Sequence, residues 1–382
     1  MKILHICNDY CGSKVHCNLY KELDKLGVEQ TMYTCCRVGN EDGKNAFEGQ
    51  HTNFIYRCVL TTKHRFLYHL KIRKSYIGLD KAVNAKEYDM AHAVTLFADG
   101  AVAYKLYKEY GLPYVVTVRN TDINEFLAVA PHTWPLALKV LRNARKIIFI
   151  SRAPKEKFCR HFVVKRILPE IQDKFIIQPN GIDNYWLNNI WRGEKNLSHN
   201  IIYVGKFDLN KNVIRLIKTV LKLHTHYPDI HLHLVGGDGW CEKDVLKMVE
   251  ENASILSYHG KIYDKDKLKA LYRECSIFAM PSIHETFGLV YIEALSQGLS
   301  VLYTKNQGID GLLDKRVGEK VNAMSTESIK EGLQKMLANR DDYLSYEVMN
   351  FESFRWGQIA NRYKTLYTEV LGDLYYQEVN NE

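Results

Sequence analysis

The 382-residue sequence contains no C-x-x-C pair among its nine cysteines and no G-x-G-x-x-G turn. An odd cysteine count in a long chain is typical of a reducing compartment rather than of a disulfide framework, and the spacings do not indicate a zinc site. The dinucleotide-binding fingerprint is absent as well. These absences exclude a disulfide-stabilised small fold and give no support to a zinc domain.

Long apolar runs are also missing, since no stretch approaches 18 apolar residues. This argues against a membrane-spanning helix. The opening segment MKILHICNDY is too short for the apolar core of a signal peptide and predicts a first β-strand instead. No zinc-finger spacing or RNP-like aromatic sequence favours nucleic-acid binding. We therefore expect a soluble, cytoplasmic protein.

Acidic residues are scarce in the first half. Residues 1–180 hold 28 Lys and Arg against 17 Asp and Glu, whereas residues 181–382 hold 24 against 27. The stretch 57–74, in which Phe66 and Tyr68 interleave with basic residues, has no acid, and 139–160 has only Glu156. Solvated helix faces with ordinary ion pairs would explain this charge. Docking onto an anionic membrane leaflet would explain it equally well, at about 1 kcal/mol per basic residue.

Short apolar runs alternate with helical segments, of which 99–111 is an example. The predicted strands cover residues 2–7, 29–34, 90–94, 114–118, 146–151, 175–179, 200–205, 230–236, 256–260, 277–281 and 300–304. With 46% apolar residues in a chain of this length, the alternation predicts two α/β domains with parallel, doubly wound sheets.

An Asn-rich polar segment separates the two series of strands. We therefore expect a Rossmann-like domain at 1–180, a linker at 181–199 and a second Rossmann-like domain at 200–350. The aromatic-rich segment 351–382 predicts a C-terminal helix that packs back on the first domain. Ligands of such folds bind at the carboxyl ends of the strands, so we expect a cleft between the domains.

The segment PSIHETFGLVYIEALSQGLSV contains two glutamates, Glu285 and Glu293, eight positions apart. A helix N-terminus is predicted between them near Gly288, and its free N–H groups suit a phosphate. A carboxylate, an anion site and a second carboxylate in this order match a sugar, a diphosphate and a ribose. The two glutamates could also be an ordinary loop acid and a helix residue paired with a lysine.

Two further turns favour the first interpretation. YVGKFDLNKNVIRLIK predicts a strand that ends at Gly205, a turn with Lys206 and Lys211, and another helix N-terminus. LVGGDG follows the next strand, and its Gly236 and Gly237 permit close backbone approach.

With these motifs in order, residues 200–310 resemble the donor-binding half of the retaining glycosyltransferases of family 4, which have the GT-B fold. The family has a pair of glutamates separated by seven residues, matched here by Glu285 and Glu293. The resemblance implies that Glu285 holds the donor sugar and Glu293 the ribose hydroxyls. The backbone that binds sugar and phosphate corresponds to Thr286, Phe287, Gly288 and Leu289.

The resemblance also implies which residues bind the diphosphate and the nucleobase of the donor. The family's basic pair, usually Arg and Lys, is Lys206 and Lys211 here, and lysine keeps the charge without the bidentate fork. The nucleobase is expected near the segment from His259 to Ile262, which includes Lys261. His284, beside Glu285, is a further candidate for substrate contact. Because lysines can neutralise the diphosphate, no metal or other cofactor is expected, and His231 and His233 are interpreted as sheet residues.

The first half resembles the family more loosely. Gly12 remains of a glycine-rich loop expected near the donor phosphates. In VTVRNTDINEF the family's histidine and glycine are replaced by Arg119 and Asn120, whereas Asp122 is kept. Asp122 is therefore a candidate for steering or deprotonating the acceptor. A structural role as a turn or N-cap aspartate is the alternative.

The resemblance implies a retaining transferase that moves a sugar from a nucleotide sugar to a glycan or lipid-linked acceptor, as in bacterial surface polysaccharide synthesis. UDP is the expected carrier because it is common in the family, with GDP left open. A nucleotide-sugar epimerase of the same fold and a non-catalytic nucleotide-sugar-binding protein are the alternatives. A glycosidase would also use paired carboxylates but would leave the lysine turn unexplained.

Overall fold

The computed structural model describes residues 1–39, 43–65, 67–312, 316–343 and 349–379. The chain divides into two compact units. Unit 1 comprises Met1–Ile150, Pro154–Gly181 and Trp356–Glu382. Unit 2 comprises Ser151–Ala153 and Ile182–Arg355. Phe66, one of the aromatic residues of the first basic stretch, lies outside the described residues.

Each unit is built on one parallel sheet. The strands of unit 1 are β1 Lys2–Ile6, β2 Glu29–Arg37, β3 Thr52–Leu60, β4 Met90–Ala93, β5 Tyr114–Val118, β6 Ile147–Phe149 and β7 Phe175–Ile177. Those of unit 2 are β8 Asn200–Lys206, β9 His231–Gly237, β10 Leu256–Tyr258, β11 Ile277–Ala279, β12 Ser300–Thr304 and β13 Gly318–Val321.

The helices connect these strands. They are α1 Lys14–Lys25, α2 Tyr68–Asp80, α3 Asp99–Tyr110, α4 Trp134–Asn143, α5 Arg152–Arg160, α6 Phe162–Lys165, α7 Leu168–Ile171, α8 Asn184–Asn188, α9 Val213–Leu223, α10 Glu242–Glu251, α11 Lys265–Arg273, α12 Leu289–Ser296, α13 Thr326–Ala338 and α14 Trp356–Val379. None of the helices in the described residues has the length and apolar character needed to cross a membrane.

The strand order of unit 1 is β3-β2-β1-β4-β5-β6-β7, and that of unit 2 is β10-β9-β8-β11-β12-β13. In both sheets the order reverses beside the first strand of the series, which is the doubly wound topology. Two apolar clusters in unit 1 contain residues from the sheet, and one of them unites β1 and α1 with α14. The predicted α/β class with two Rossmann-like units is confirmed.

All eleven predicted strands are present, but the sequence did not indicate β3 or β13. Both lie at sheet edges, where a strand buries only part of its side chains. In β3 the basic and half-exposed residues of the first basic stretch interrupt the apolar pattern, so that stretch begins as a strand and not as a helix face. Most of the other strands are largely buried and were easier to identify because both of their faces are apolar.

The predicted linker is not a separate connector, because residues 182–199 belong to unit 2. The polar sequence of this segment did not indicate the short helix α8, which buries Trp186 and Leu187. The bond from Ile182 N to Phe354 O, 3.0 Å, ties this segment to the end of the same unit. Helix α14 belongs to unit 1 and packs on α1.

One cysteine pair departs from the expectation of reduced thiols. Cys36 and Cys58 are direct neighbours in the register of β2 and β3, with Cα atoms 4.4 Å apart, and they form a disulfide. The other seven cysteines, all within the described residues, are not disulfide-bonded. The pairing depends on strand register, which cysteine spacing alone does not give.

Candidate functional site

The turn after β8 carries the two predicted lysines. Asp208 Oδ1 accepts the N–H of Lys211 at 2.7 Å, which closes the turn. Asn212 follows in the left-handed region with φ 61°, and its side-chain amide donates to the carbonyls of Pro281 and Ala323 at 3.0 and 2.8 Å. The side chain of Lys206 is exposed, and its ammonium group has no hydrogen-bond or ion-pair partner in the described part of the chain. The Asn212 bonds connect the turn to the segments at Pro281 and Ala323, while the ammonium group of Lys206 remains available.

The loop after β11 is hydrogen-bonded to this turn. Asn210 accepts the N–H of His284 at 2.9 Å and donates to its carbonyl at 3.0 Å, and its own carbonyl accepts from Ile283 at 2.7 Å. Strands β8 and β11 are neighbours, so both loops leave the same edge of the sheet. The side chain of His284 is exposed there. The sequence did not indicate Asn210, because its role depends on a loop 74 residues away.

Glu285 and Lys211 meet at this edge. The Lys211 Nζ lies 2.7 Å from Glu285 Oε2, and Glu285 is only 7% exposed. The Ser282 hydroxyl donates to the same oxygen at 3.3 Å, and the Thr286 N–H donates to Oε1 at 3.0 Å. A nearly buried carboxylate needs such partners. The structure therefore joins two of the predicted donor-site residues in one ion pair.

The backbone around Glu285 depends on Gly288 and Gly308. Gly288 precedes α12 with φ +75°, and a Cβ there would lie 2.4 Å from the Tyr291 ring. A Cβ on Gly308, φ +51°, would lie 2.8 Å from Glu285 Cγ. Glu285 N donates to Gln307 Oε1 at 3.2 Å. Gln307 and Gly308 were missed because they follow β12, outside the glutamate motif.

The segment Thr286–Leu289 leads into α12. Thr286 is exposed, Leu289 is half-buried and Phe287 is 2% exposed. Phe287 therefore anchors the segment in unit 2, directly before the N-terminus of α12, whose first N–H groups have no partner within the helix.

Glu293, on the second turn of α12, is in a different environment from Glu285. It is half-buried, and its carboxylate has no hydrogen-bond or ion-pair partner among the described residues. Burial, aided by the charge of Asp183, raises the pKa of Glu293 to about 7, and Lys265 acts in the opposite direction. Lys265 is itself paired with Asp183 at 2.5 Å. A carboxylate in such a place can accept bonds from ligand hydroxyls.

The ends of β8 and β9 approach each other by backbone alone. A Cβ on Gly236, φ +139°, would lie 1.8 Å from the carbonyl oxygen of Gly205. A Cβ on Gly237, φ +148°, would lie 2.9 Å from Glu242 Oε1. Larger residues are therefore excluded at both positions, as the sequence pattern predicts.

The loop after β10 lies next to this glycine turn, because Gly236 N donates to the Gly260 carbonyl at 2.8 Å. Lys261 is exposed, and its pair with Asp238 at 2.5 Å raises the pKa of its ammonium group. Ile262 is half-buried. The loop after β10 and the glycine turn are thus joined by a backbone hydrogen bond and an ion pair.

Other histidine and aspartate side chains of unit 2 have hydrogen-bond partners within the unit. His231 and His233 lie on β9, and His233 Nδ1 is 3.0 Å from His259 Nε2. Asp264 caps α11 by accepting from the Asp266 N–H at 2.9 Å. In the described ranges no group of three or more His, Cys, Asp or Glu is arranged to hold a metal ion.

In unit 1, Asp122 holds a turn together. Its Oδ2 accepts the N–H groups of Leu96 and Arg119 at 3.0 and 2.8 Å, and its Oδ1 accepts that of Phe97 at 3.1 Å. It is 2% exposed, and burial raises its pKa to about 6 against the effect of these bonds. The geometry favours the structural alternative over contact with an acceptor.

Arg119 and Gly12 lie at the same edge of unit 1. The Arg119 Nε donates to the Val94 carbonyl at 3.2 Å. Gly12 ends a single 3₁₀ turn, and a Cβ there would lie 2.5 Å from Asp9 Oδ1. Burial raises the pKa of Asp9, and the charge of Arg119 opposes this shift. Gly12 is thus required for the packing of Asp9, whatever ligand it faces.

Comparison with family models assigns both halves of the chain. The model described as "Glycosyl transferases group 1" matches residues 191–348, and "Glycosyltransferase Family 4" matches residues 12–184. An uncharacterised glycosyltransferase of Methanocaldococcus jannaschii is 26% identical over 93% of this chain and 94% of the relative. A phosphatidyl-myo-inositol mannosyltransferase of Mycobacterium tuberculosis is 25% identical over 51% and 54%.

Solved structures share the fold at low identity. Sucrose-phosphate synthase of Thermosynechococcus elongatus superposes with a TM-score of 0.73 at 18% identity, over 98% of this chain and 100% of that one. Anabaena Alr3699/HepE, in complex with UDP, gives 0.70 at 16% identity over 97% and 100%. With both family models matched in order on two doubly wound sheets, this chain belongs to the group 1, family 4 glycosyltransferases of the GT-B fold.

Proposed function

We propose that the protein is a metal-independent, retaining transferase that moves a hexosyl or N-acetylhexosaminyl group from a nucleotide sugar to a hydroxyl of a glycan or lipid-linked glycan. The observation that carries this proposal is the unpartnered, half-buried Glu293 on α12, the helix whose N-terminal turn adjoins the Lys211–Glu285 pair. UDP is the proposed carrier, and structural neighbours have been solved with UDP.

We assign the diphosphate to the lysines and N–H groups at the carboxyl edge of the unit 2 sheet. Lys206, whose ammonium group has no partner in the described chain, and Lys211 supply positive charge, and the amides of Phe287 to Leu289 supply N–H donors, since that of Thr286 already donates to Glu285. In the reaction, the bond between the anomeric carbon and the β-phosphate oxygen breaks. The acceptor oxygen bonds to the same face of the sugar, and the acceptor's proton passes to the departing diphosphate. Cations fixed in advance stabilise the charge that develops on that oxygen.

The two carboxylates have separate tasks. Glu285 accepts hydroxyls of the donor sugar and keeps Lys211 in place through their 2.7 Å contact. Glu293 accepts the ribose hydroxyls. The loop after β10 leads to Lys265, whose charge lowers the pKa of Glu293. We therefore assign the nucleobase to a position beside Gly260, Lys261 and Ile262.

The acceptor is proposed to be presented at an anionic membrane surface, as in bacterial surface polysaccharide synthesis. On α2 and the segment before it, the exposed apolar residues Leu67, Leu70 and Ile77 lie among the basic residues Lys63 and Arg73, which are also exposed. Apolar and basic side chains on one helix face suit the interface of an anionic bilayer. Co-sedimentation with phosphatidylglycerol vesicles tests this, and equal binding to neutral phosphatidylcholine vesicles would contradict it.

Release of nucleotide from a panel of UDP- and GDP-sugars, with and without oligosaccharide acceptors, tests the reaction. Acceptor-dependent release with an unchanged anomeric configuration, observed by NMR of the product, supports retaining transfer. An epimerised sugar without transfer would identify an epimerase. Binding without turnover would identify a nucleotide-sugar-binding protein.

A matched pair of lysine variants relates that activity to the site. Lys206→Ala should lower kcat by about 10²-fold or more, because it removes a charge proposed to act on the leaving group. Lys218→Ala removes an exposed charge on α9 and should leave kcat unchanged. Equal activity of the two variants would contradict the assignment of Lys206.

A further inference from the structure

Helices α2 and α3 of unit 1 enclose a surface recess that the proposed transfer reaction does not use. Its volume is about 330 Å³, at the lower end of the range for small-molecule sites. It is lined by Tyr76, Tyr104, Lys105, Lys108 and Glu109. Four of these residues lie on one face of α3, and Tyr76 faces them from α2.

In this recess the carboxylate has a hydrogen-bond partner, whereas the two ammonium groups lack ion-pair partners among the described residues. Glu109 Oε2 accepts the hydroxyl of Tyr76 at 2.5 Å, and Lys105 Nζ lies 5.2 Å from the centroid of the Tyr76 ring. Neither Lys105 nor Lys108 has an ion-pair partner within the residues that the structure describes. The recess therefore presents two ammonium groups and one carboxylate, which favours a ligand that carries a negative charge.

The tyrosine rings that line the recess also restrict the shape of the ligand. Tyr76 and Tyr104 are both half-buried, so their rings are held in place and still reach the solvent. The face of an aromatic ring is the negative part of its quadrupole. It attracts ammonium groups, as Lys105 shows, and more weakly the polarised C–H groups on one face of a pyranose chair.

We propose that this recess is a non-catalytic binding site for a uronic acid unit of a glycan. The apolar face of the sugar packs on the Tyr104 ring, because Lys105 already lies over the ring of Tyr76. The sugar carboxylate bonds to Lys105 and Lys108, and Glu109 accepts one of its hydroxyls. A phosphoglycerol headgroup would satisfy the lysines but has no ring face to pack on Tyr104. Saccharide binding here does not depend on the proposed donor chemistry, since every lining residue belongs to unit 1.

The experiment uses the full-length protein and hyaluronan tetrasaccharide, which contains glucuronic acid, with maltotetraose as the neutral probe. Titration calorimetry at low salt should show that the hyaluronan fragment binds at least tenfold more tightly than maltotetraose. The variant Lys105→Gln/Lys108→Gln should lose at least tenfold in affinity. The matched variant Lys218→Gln/Lys222→Gln, which alters two exposed lysines of α9, should bind like the wild type.

Failure of the wild type to bind the acidic tetrasaccharide would overturn the proposal, and so would equal loss in the two double variants. A second arm measures binding to phosphatidylglycerol vesicles. If Lys105→Gln/Lys108→Gln weakens vesicle binding as much as tetrasaccharide binding, the recess is a headgroup site and the uronic acid assignment is wrong. Nucleotide-sugar turnover without added acceptor should be the same in all these proteins, which separates this result from any failure of the proposed function.

Discussion

The carboxyl edges of the two sheets use their acidic side chains in opposite ways. In unit 1, Asp99 and Asp122 are buried, and backbone N–H groups and a hydroxyl occupy their oxygens. In unit 2, the Glu285 carboxylate pairs with Lys211 and also accepts a hydroxyl and an N–H group, whereas the Glu293 carboxylate has no partner within the described residues. The same topology thus uses two aspartates to fix loops at one edge, while at the other it carries a lysine-paired carboxylate, Glu285, and a carboxylate, Glu293, that remains available for a ligand.

The largest expected effect is on activity at the edge of unit 2. Glu285→Gln should lower kcat for sugar transfer by about 10²–10³-fold, because a neutral amide neither orients the donor hydroxyls as strongly nor holds Lys211. The free energy of unfolding should also fall, by about 3 kcal/mol, because the pair is nearly buried and Lys211 is left without its carboxylate. Steady-state kinetics and urea denaturation measure the two quantities.

A Glu285→Gln variant that kept its activity would make Glu285 a structural carboxylate like Asp122. The comparison between the two edges would then lose its strongest element. Glu319→Gln is a suitable control, because it also removes a carboxylate that pairs with a lysine of unit 2, Lys335, away from the donor loops.

The second effect is on stability in unit 1. Asp122→Ala leaves the N–H groups of Leu96, Phe97 and Arg119 without their acceptor in a buried turn. We expect a loss of about 3 kcal/mol or more in the free energy of unfolding, visible as a lower urea midpoint. Asp122→Asn keeps an acceptor oxygen and should lose less.

At a temperature where Asp122→Asn is folded, transfer activity should stay within about tenfold of wild type. A loss beyond 10²-fold without a loss of stability would instead support the acceptor role that the sequence left open. The two variants therefore separate a turn aspartate from a catalytic one.

The third effect concerns the disulfide of unit 1. The bond between Cys36 and Cys58 closes a separation of 22 residues, for which chain entropy gives about 3 kcal/mol. Denatured protein should show seven thiols before reduction and nine after it, by reaction with Ellman's reagent. Nine thiols before reduction would show that the pair is reduced, as the cysteine count led us to expect.

How far the sequence predicted these features depends on the range of the interactions. Continuous apolar runs predicted eleven strands, because a buried strand carries its signal within itself. The lysine turn and the glutamate pair were also local motifs. Asn210, Gln307 and Gly308 were not predicted, since each acts on a loop that is distant in sequence.

The role of Asp122 shows the same limit from the other side. Its segment matched a functional motif, yet two of the three N–H groups that occupy it come from the loop after β4. A local pattern predicted an aspartate at the correct edge of the sheet. Only the packing of that edge showed whether the carboxylate was available.

The smallest expected effect depends on pH and concerns Glu293, whose pKa is raised from 4.5 to about 7 mainly by burial. The folded state then holds a proton that the unfolded state has released. The stability from this carboxyl group is therefore complete below about pH 4.5 and is lost as the pH rises through 7. Glu293→Gln is neutral throughout. It should be more stable than wild type at pH 8 by roughly 1–2 kcal/mol after allowance for partial exposure, and equally stable at pH 4.

Donor affinity should change in the opposite direction to stability. The charged carboxylate accepts the ribose hydroxyls, so wild-type affinity for UDP should rise between pH 6 and 8, while that of Glu293→Gln stays flat and about tenfold weaker at pH 8. Calorimetric titration with UDP, paired with denaturation curves at each pH, measures both. A variant that matched wild-type affinity at pH 8 but was still more stable there would show a buried charge that no ligand uses. Glu293 would then be no more available than the aspartates of unit 1.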